Sequence, residues 1–271
     1  MSRIPVEIAS YYEQGREADR LSVDRGELER VRTQSILARH LPPPPATIVD
    51  VGGATGVYAF PLAQAGYRVN LIEPVALHLE QARDRSAQSG VVLESIASGD
   101  ARHLEVGSET ADAVLLLGPL YHLVERSDRV LAIREARRVL KPGGVLVAAA
   151  ISRFASFIDA MLQGFFNDLR FRRMVAGALA SGVHQNLTDG TKYFTTAYFH
   201  RPDELVEEVR DAGFNSAEVL AVEGIAWSGA RFHEVWNNPE QRAAVMEFLS
   251  ITEREPSILG ASSHFVAIAH R

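Results

Sequence analysis

The stretch TIVDVGGATG, residues 47–56, decides the fold of this chain. It starts as a short β-branched run that reaches an acid, Asp50, and then enters a loop that holds Gly52, Gly53 and Gly56. The residues that follow have apolar side chains at helical intervals. A strand, a glycine loop and a helix bring backbone N–H groups close to a ligand, because a Cβ would block the approach. The stretch therefore predicts a ligand-binding unit, although nicotinamide and phosphate sites share this pattern.

The composition is that of an ordinary globular protein. With 271 residues the chain can bury one sizeable core plus an insertion, or two small domains. A hydrophobic fraction of 46% and a charged fraction of 23% argue against disorder. The formal net charge of -6 argues against nucleic acid as a partner, because phosphate contacts need clustered Lys and Arg.

The chain contains no cysteine, which excludes disulfides, thiolate metal sites and a cysteine nucleophile. The opening MSRIPVEIAS lacks the basic and apolar segments of a signal peptide. The most apolar stretch, residues 113–124, is too short to span a bilayer. We therefore expect a soluble cytoplasmic protein with no membrane partner.

From residue 47 onward, strand patterns alternate with helix patterns. The spacing predicts strands over 48–51, 68–72, 91–96, 113–117 and 145–151, and helices over 55–65, 75–87 and 127–140. After an irregular segment it predicts a helix over 202–212, a strand over 217–222, mostly helix over 231–254 and a last strand over 264–270. Such alternation indicates an α/β fold with a doubly wound, Rossmann-like parallel sheet and right-handed crossovers.

The glycine segment resembles the first motif of the class I S-adenosylmethionine-dependent methyltransferases, small-molecule type. In that family an apolar strand and an acid precede G-x-G-x-G, and here the sequence is Asp50-Val51-Gly52-Gly53-Ala54-Thr55-Gly56. Ala54 replaces the second glycine of the motif. The resemblance implies that the loop contacts the methionine half of the cofactor, with Asp50 near its charged amine. It also implies a seven-stranded sheet.

Glu73 follows the second strand, 21 residues after Gly52 (73 − 52). A carboxylate offers two oxygens, so an acid here can accept hydrogen bonds from both ribose hydroxyls of a nucleoside. We assign Glu73 and its neighbour Pro74 to cofactor binding. The nicotinamide fold also places an acid at this point, so Glu73 does not separate the two possibilities.

The segment Ser98-Gly99-Asp100-Ala101-Arg102 follows the third strand. The resemblance implies that Asp100 holds the adenine amino group and that the N–H of Ala101 meets a ring nitrogen. A nicotinamide site does not require this segment. An alternative role for Asp100 is to cap the loop.

The segment Leu117-Gly118-Pro119-Leu120-Tyr121-His122 follows the fourth strand. In the family it lies beside the transferable methyl group, so we assign Leu117 and Gly118 to the cofactor. It lacks the acid or Asn and the paired prolines of amino-adenine methyltransferases. Tyr121 and His122 are candidate catalytic residues, because a His of near-neutral pKa suits a general base. His122 equally suits a packing role.

The first 46 residues are predicted to form a helical cap that closes over the cofactor, as its counterpart does in the family. Tyr11, Tyr12 and Arg32 are candidates for the methionine carboxylate, since a guanidinium binds a carboxylate through two donors. Arg32 equally suits a surface pair with Glu29, three residues away on a helix. The other predicted segments are a cofactor-binding core over 47–151, an insertion or lid over 152–200 and a C-terminal completion of the sheet over 201–271.

The insertion is predicted to line the acceptor pocket. Aromatic candidates for its walls are Phe154, Phe157, Tyr193, Phe194, Tyr198 and Trp227. Additional candidate bases are His184, His200 and His233. No His, Asp or Glu pattern has metal-ligand spacing, so we expect no metal site.

These observations favour a methyltransferase that uses S-adenosylmethionine to methylate an oxygen, nitrogen or carbon of a small-molecule acceptor. One alternative is a nicotinamide-dependent oxidoreductase. Another is a non-catalytic cofactor-binding protein on the same fold. The sequence leaves the oligomeric state open.

Overall fold

A computed structural model of the chain describes residues 6–12, 20–186, 188 and 193–271. Its strands are β1 Thr47–Val51, β2 Arg68–Ile72, β3 Ser95–Ala97, β4 Ala111–Leu116, β5 Leu140–Ile151, β6 Val183–His184, β7 Ala197–Tyr198, β8 Glu218–Ala221 and β9 His264–His270. Its helices are α1 Val6–Tyr12, α2 Asp24–His40, α3 Ala59–Gln64, α4 Ala76–Ser89, α5 Pro119–His122, α6 Arg126–Val139, α7 Ala155–Gln163, α8 Leu169–Ser181, α9 Pro202–Asp211, α10 Phe232–Trp236, α11 Pro239–Thr252 and α12 Pro256–Leu259.

The central sheet has seven strands in the order β3-β2-β1-β4-β5-β9-β8. Strands β1 to β5 are parallel, whereas β9 runs antiparallel to both β5 and β8. The α/β, doubly wound prediction is confirmed. Parallel strands place their carboxyl ends at one edge, so the segments that follow β1, β2, β3 and β4 lie along that edge.

Apolar side chains cover both faces of the sheet, as expected for strands between two helical layers. Neighbouring residues of β4 show this alternation. Val114 packs with Ile133 of α6 on one face, while Leu115 packs with Ile36 of α2 on the other. The sheet is therefore a rigid platform, and chemistry is confined to its edges.

Several predicted elements have other bounds in the structure, and two of them begin four residues later than predicted. The helix predicted over 55–65 begins only at Ala59, because residues 52–58 form the loop and Pro61 then falls in the first turn. The strand predicted over 91–96 begins only at Ser95, which pairs with Asn70 of β2. The strands predicted over 68–72 and 264–270 have the predicted bounds.

The chain between β5 and α9 leaves the sheet and returns to nearly the same point. The N–H of His200 donates to the carbonyl of Ile151 at 2.8 Å, and the N–H of Arg153 donates to the carbonyl of His200 at 2.7 Å. Helices α7 and α8 and the antiparallel pair β6–β7 therefore stand at the carboxyl end of β5. The division of the chain into four functional segments stays a prediction.

Within the described ranges, no helix combines the length and apolar character needed to cross a membrane.

Candidate functional site

The glycine loop lies so close to its neighbours that side chains would not fit. A Cβ at Gly53 would stand 2.5 Å from Oδ2 of Asp50, and a Cβ at Gly56 would stand 2.7 Å from the ring of Phe60. Gly52 and Gly56 also have φ of +67° and +79°, which L side chains rarely adopt. The loop is thus a backbone cradle directly over Asp50.

Ala54 preserves the shape of this loop although it departs from the family motif. Its φ is +48°, in the left-handed region that a glycine would adopt without strain. Its N–H donates to Oε2 of Glu73 at 3.0 Å. The methyl group therefore costs conformational energy but leaves the backbone where the cradle needs it.

Asp50 lies beneath the cradle with its charge unmatched. The side chain is fully buried, and neither carboxylate oxygen has a hydrogen-bond partner in the described part of the chain. Burial, reinforced by the neighbouring Glu73 carboxylate, raises the pKa of Asp50 to about 7. An unpaired buried carboxylate is costly, and a cationic ligand group would satisfy it. Asp50 thus fits the ammonium group of the implied cofactor.

Glu73 is brought to the same loop and is 4% exposed. Its Oε1 accepts from the N–H of Val75 at 3.0 Å and lies 3.2 Å from Nδ1 of His78, while Oε2 accepts from Ala54. A carboxylate has about four acceptor positions, so about one remains. Binding both ribose hydroxyls would require one of these contacts to open. Pro74 is exposed beside it.

Asp100 follows β3 at the same edge but already has a cationic partner. Its oxygens accept from the backbone N–H of Arg102 at 2.9 Å and from the guanidinium at 2.7 Å. Arg102 also donates to Asp128 at 2.6 Å. Ala101 is buried, and the Asp100 side chain keeps 24% exposure. An adenine amino group would therefore share this carboxylate with Arg102.

The segment after β4 packs directly on the glycine loop. A Cβ at Gly118 would stand 2.9 Å from the carbonyl oxygen of Gly52, and Pro119 would stand 3.0 Å from a Cβ at Gly52. Leu117 is half-buried beside them. The structure thus brings together the predicted residues that follow β1 and β4.

Helix α1 lies across this segment through a group of aromatic rings, which we call the ring cluster: Tyr11, Tyr12, Tyr121, His122 and Phe194. Ring centroids are 4.7 Å apart for Tyr121 and His122, 5.2 Å for Tyr12 and His122, and 5.7 Å for Tyr11 and Phe194. The Tyr12 hydroxyl lies 2.6 Å from Nε2 of His122. This contact holds α1 over the carboxyl edge of the sheet.

The pKa of His122 differs from the near-neutral value that its sequence position suggested. Burial lowers the pKa of His122 to about 3, although a backbone hydrogen bond at Thr196 acts in the opposite direction. The expectation of a near-neutral pKa is therefore wrong, because burial disfavours the imidazolium. At neutral pH His122 is a neutral ring that pairs with Tyr12.

Arg32 has two structural partners that the sequence had not suggested. It is fully buried and donates to the carbonyl of Val222 at 3.1 Å and to Glu253 at 2.8 Å. Burial raises the pKa of Glu253, but hydrogen bonds from Arg39 and Arg32 outweigh it and hold the value at about 2. The charge of Arg32 is thus engaged inside the protein. Its Nη1 is buried without a hydrogen-bond partner among the described residues, and the contact of Arg32 with the cofactor stays a prediction.

The aromatic residues predicted to line the acceptor pocket separate in the structure. Phe194 joins the ring cluster. Trp227 instead packs in the core with Phe232, and Tyr193 packs with Phe171 at a centroid distance of 4.6 Å. Phe157 is 45% exposed. Two of the six predicted residues, Tyr193 and Trp227, are therefore core residues, and the lining of the acceptor pocket stays a prediction.

The other candidate bases are held by structural partners or lie at the surface. His200 is buried 3.2 Å from Glu208, which also forms an ion pair with Arg129 at 2.7 Å. Nδ1 of His184 lies 3.1 Å from Ser156 Oγ, and burial lowers the pKa of His184 to about 4. His233 is exposed.

One group escaped sequence reasoning entirely: Glu29 of α2, Glu223 after β8 and His264 at the start of β9, here called the Glu29–Glu223–His264 cluster. Their ligand atoms all lie within 4.8 Å of one another, a spacing that could hold a metal ion and that the sequence had not suggested. Nδ1 of His264 lies 2.6 Å from Glu223 and 3.7 Å from Glu29. Burial alone would lower the pKa of His264, but the two carboxylates outweigh it and raise the value to about 9. At neutral pH a proton on His264 supplies the positive charge of the cluster.

Known proteins are similar to this chain in sequence and in architecture. A sequence profile of a methyltransferase domain matches residues 48–144. The chain is 28% identical over 185 residues to a ubiquinone biosynthesis O-methyltransferase of Methylobacterium nodulans, covering 68% of this chain and 66% of that protein. It is 35% identical over 143 residues to a malonyl-[acyl-carrier protein] O-methyltransferase of Methylococcus capsulatus, covering 50% of this chain and 46% of that protein. The match thus spans about half to two thirds of these curated relatives.

Among solved structures, a SAM-dependent methyltransferase of Methanosarcina mazei superposes with a TM-score of 0.59 at 18% identity, covering 87% of this chain and 96% of that chain. At 18% identity this structural similarity shows that the two proteins have the same fold. Together with the motif residues gathered at the carboxyl edge, these similarities lead to one conclusion. The chain is similar to the class I S-adenosylmethionine-dependent methyltransferases, and residues 48–144 match the methyltransferase domain.

Proposed function

We propose that the protein transfers a methyl group from S-adenosylmethionine to an oxygen atom of a small-molecule acceptor. The observation that carries the cofactor assignment is Asp50, a fully buried carboxylate under a glycine cradle, to which no described residue donates a hydrogen bond. The choice of oxygen is supported by the two relatives named above, both of which are O-methyltransferases by name.

The cofactor would lie along the carboxyl edge of β1 to β4. Asp50 would pair with its ammonium group, while Gly52, Gly53 and Gly56 would let the loop backbone approach the methionine half. Glu73 would accept from the ribose. Further along the edge, the adenine would meet Asp100 and Ala101, and the sulfonium would lie near Leu117 and Gly118.

When bound, the cofactor supplies a methyl carbon already activated by its sulfonium. The protein then has to align the acceptor for in-line displacement and exclude water. Helix α1 is suited to exclude water, because its Tyr11 and Tyr12 pack against the other rings of the ring cluster. The Tyr12 hydroxyl is also hydrogen-bonded to His122. Exchange of cofactor and product would require this contact to open.

The cofactor assignment can be tested by calorimetry with S-adenosylmethionine and S-adenosylhomocysteine, using NADH as the alternative ligand. Replacing Asp50 by Asn should weaken binding of both sulfur compounds by about 10- to 100-fold, since a charge-assisted hydrogen bond contributes about 1.5–3 kcal/mol. Asp112→Asn is the matched control, because Asp112 pairs with Lys141 near the opposite edge. Binding of NADH alone would favour the oxidoreductase.

The reaction can be tested with radiolabelled S-adenosylmethionine and three acceptor panels: phenols such as catechol, carboxylic acids and primary amines. Labelled product from a phenol or an acid supports transfer to oxygen. Product from amines alone would replace the proposal by N-methylation. Tight binding of the cofactor without transfer to any panel would favour the non-catalytic alternative.

A further inference from the structure

We infer that His264, oriented by Glu223, is the proton acceptor for the acceptor hydroxyl, and that the Glu29–Glu223–His264 cluster forms the polar end of the acceptor site. The inference rests on the proposed transfer to oxygen. It assigns a catalytic role to His264 and a positioning role to Glu223.

The carboxylate of Glu223 is fixed before any ligand binds. Its Oε2 accepts from the N–H of His264 at 2.9 Å and from the hydroxyl of Ser262 at 3.0 Å. Its Oε1 lies 2.6 Å from Nδ1 of His264, and the residue is 2% exposed. A buried carboxylate on Nδ1 keeps the proton there in the neutral ring, which leaves the lone pair on Nε2.

The other ring nitrogen is available to a ligand. Among the described residues, Nε2 of His264 has no hydrogen-bond partner, and the side chain keeps 19% exposure. His264 pairs with Ile151, the last residue of β5, so it stands at the carboxyl end of the central strands. Ligands of open α/β sheets bind outside this end.

The electrostatic neighbours connect the cluster with the predicted site of methyl transfer. After burial, Glu29 and also Tyr121 raise the pKa of Tyr58, which follows the glycine loop. Arg20, which pairs with Glu29 at 2.6 Å, adds to the lowering of the pKa of His122. One intermediate residue therefore links Glu29 with each candidate catalytic residue that follows β4: Tyr58 links it with Tyr121, and Arg20 links it with His122.

The groups that shift the pKa of His264 most act in opposite directions. Glu29 from α2 and Glu223 from the segment after β8 favour the imidazolium, while burial and Arg20 oppose it. The balance raises the pKa of His264 to about 9. This balance also explains why the imidazolium that forms during transfer would be stabilised.

The pKa values of the two imidazoles favour His264 over His122 as the base. A phenol has a pKa of about 10, so its proton moves to a base of pKa about 3 with an equilibrium constant of about 10⁻⁷. For a base of pKa about 9 the constant is about 10⁻¹. Only the second transfer is close enough to balance for efficient general-base catalysis.

In the proposed step the acceptor O–H bond breaks and its proton goes to Nε2 of the neutral form of His264, which is the minor form below about pH 9. The oxygen forms a bond with the methyl carbon while the carbon–sulfur bond of the sulfonium breaks, and that electron pair stays on sulfur. The imidazolium later returns the proton to solvent. The step needs no further reactant.

The test uses His264→Gln and Glu223→Gln, with His270→Gln as the matched control at the exposed far end of the same strand. With catechol as acceptor, His264→Gln should lower kcat by at least about 100-fold. Affinity for S-adenosylhomocysteine should stay unchanged. The wild-type rate should rise about tenfold per pH unit toward pH 9, and Glu223→Gln should move this limb down by more than one unit. An unchanged kcat and pH profile in His264→Gln would overturn the inference.

A second readout does not depend on turnover. NMR titration of the His264 ring, with S-adenosylhomocysteine bound, should show a raised pKa that falls in Glu223→Gln, and catechol should shift the ring signals. An ordinary pKa in both proteins, or no response to catechol, would also overturn the inference. Failure of the wild type to methylate any oxygen acceptor would instead contradict the proposed function.

Discussion

Two regions along the carboxyl edge of the sheet handle buried charge in opposite ways. After β1, Asp50 is buried, and neither of its oxygens has a partner within residues 6–12, 20–186, 188 and 193–271. After β8, Glu223 and the nearby Glu253 are buried and fully engaged by His264 and by Arg32 and Arg39. An unpaired buried charge indicates a missing ligand cation, whereas a paired one organises the protein itself. The comparison separates a ligand site from an internal network.

A large effect is expected from breaking the internal network. Arg32→Ala should lower the free energy of unfolding by about 3 kcal/mol, because it leaves the Glu253 carboxylate buried with one donor fewer. Arg39→Ala removes a half-exposed partner of the same carboxylate and should cost about 1 kcal/mol. Denaturant unfolding measures both. Loss of cofactor affinity in folded Arg32→Ala would instead support the predicted contact between Arg32 and the cofactor.

The pH dependence of stability tests whether the buried Asp50 carboxyl group binds a proton more tightly in the folded protein. The pKa of Asp50 rises from 3.8 in an ordinary aspartate to about 7, so the folded state binds the extra proton between these values. Stability of the free protein should therefore fall as pH rises through this window, by up to about 4 kcal/mol at about 1.4 kcal/mol per pKa unit. Asp50→Asn should remove this part of the slope. An identical slope in both proteins would show that Asp50 ionises normally.

A smaller effect is expected where α1 contacts the site. Tyr12→Phe removes the hydroxyl that lies 2.6 Å from His122 Nε2 and should speed dissociation of S-adenosylhomocysteine about fivefold, since one such bond contributes about 1 kcal/mol. Stopped-flow measurement of Tyr12→Phe, His122→Gln and the double variant gives the coupling between them. Strictly additive effects would mean that the bond does not hold α1 closed over the cofactor.

The smallest effect concerns the strained residue of the cradle. Ala54→Gly should stabilise the free protein by about 0.5–1 kcal/mol, because relief of the left-handed strain exceeds the greater freedom of glycine in the unfolded chain. Ala63→Gly in α3 is the control and should destabilise by about 1 kcal/mol. Equal destabilisation by both variants would show that Ala54 carries no strain.

The predictive value of the sequence differed between the two regions. Around β1, β2 and β4, glycine positions and alternating elements predicted both the fold and the grouping of Asp50, Glu73 and Gly118. This was possible because each signal lies within a few residues of a strand end. In the C-terminal region, the strand over 264–270 was predicted, but the partners of His264 were not. No local pattern links it with Glu29 or Glu223.

The sequence by itself determined the doubly wound sheet, the glycine cradle and the acid beneath it, since these follow from periodicity and turn chemistry. Only the tertiary structure decided which charges meet: Arg32 with Glu253, Tyr12 with His122, and His264 with two carboxylates. Burial and neighbouring charges then set the pKa of His122 to about 3 and that of His264 to about 9. The physical reason is that proton affinity depends on surroundings assembled from distant parts of the chain.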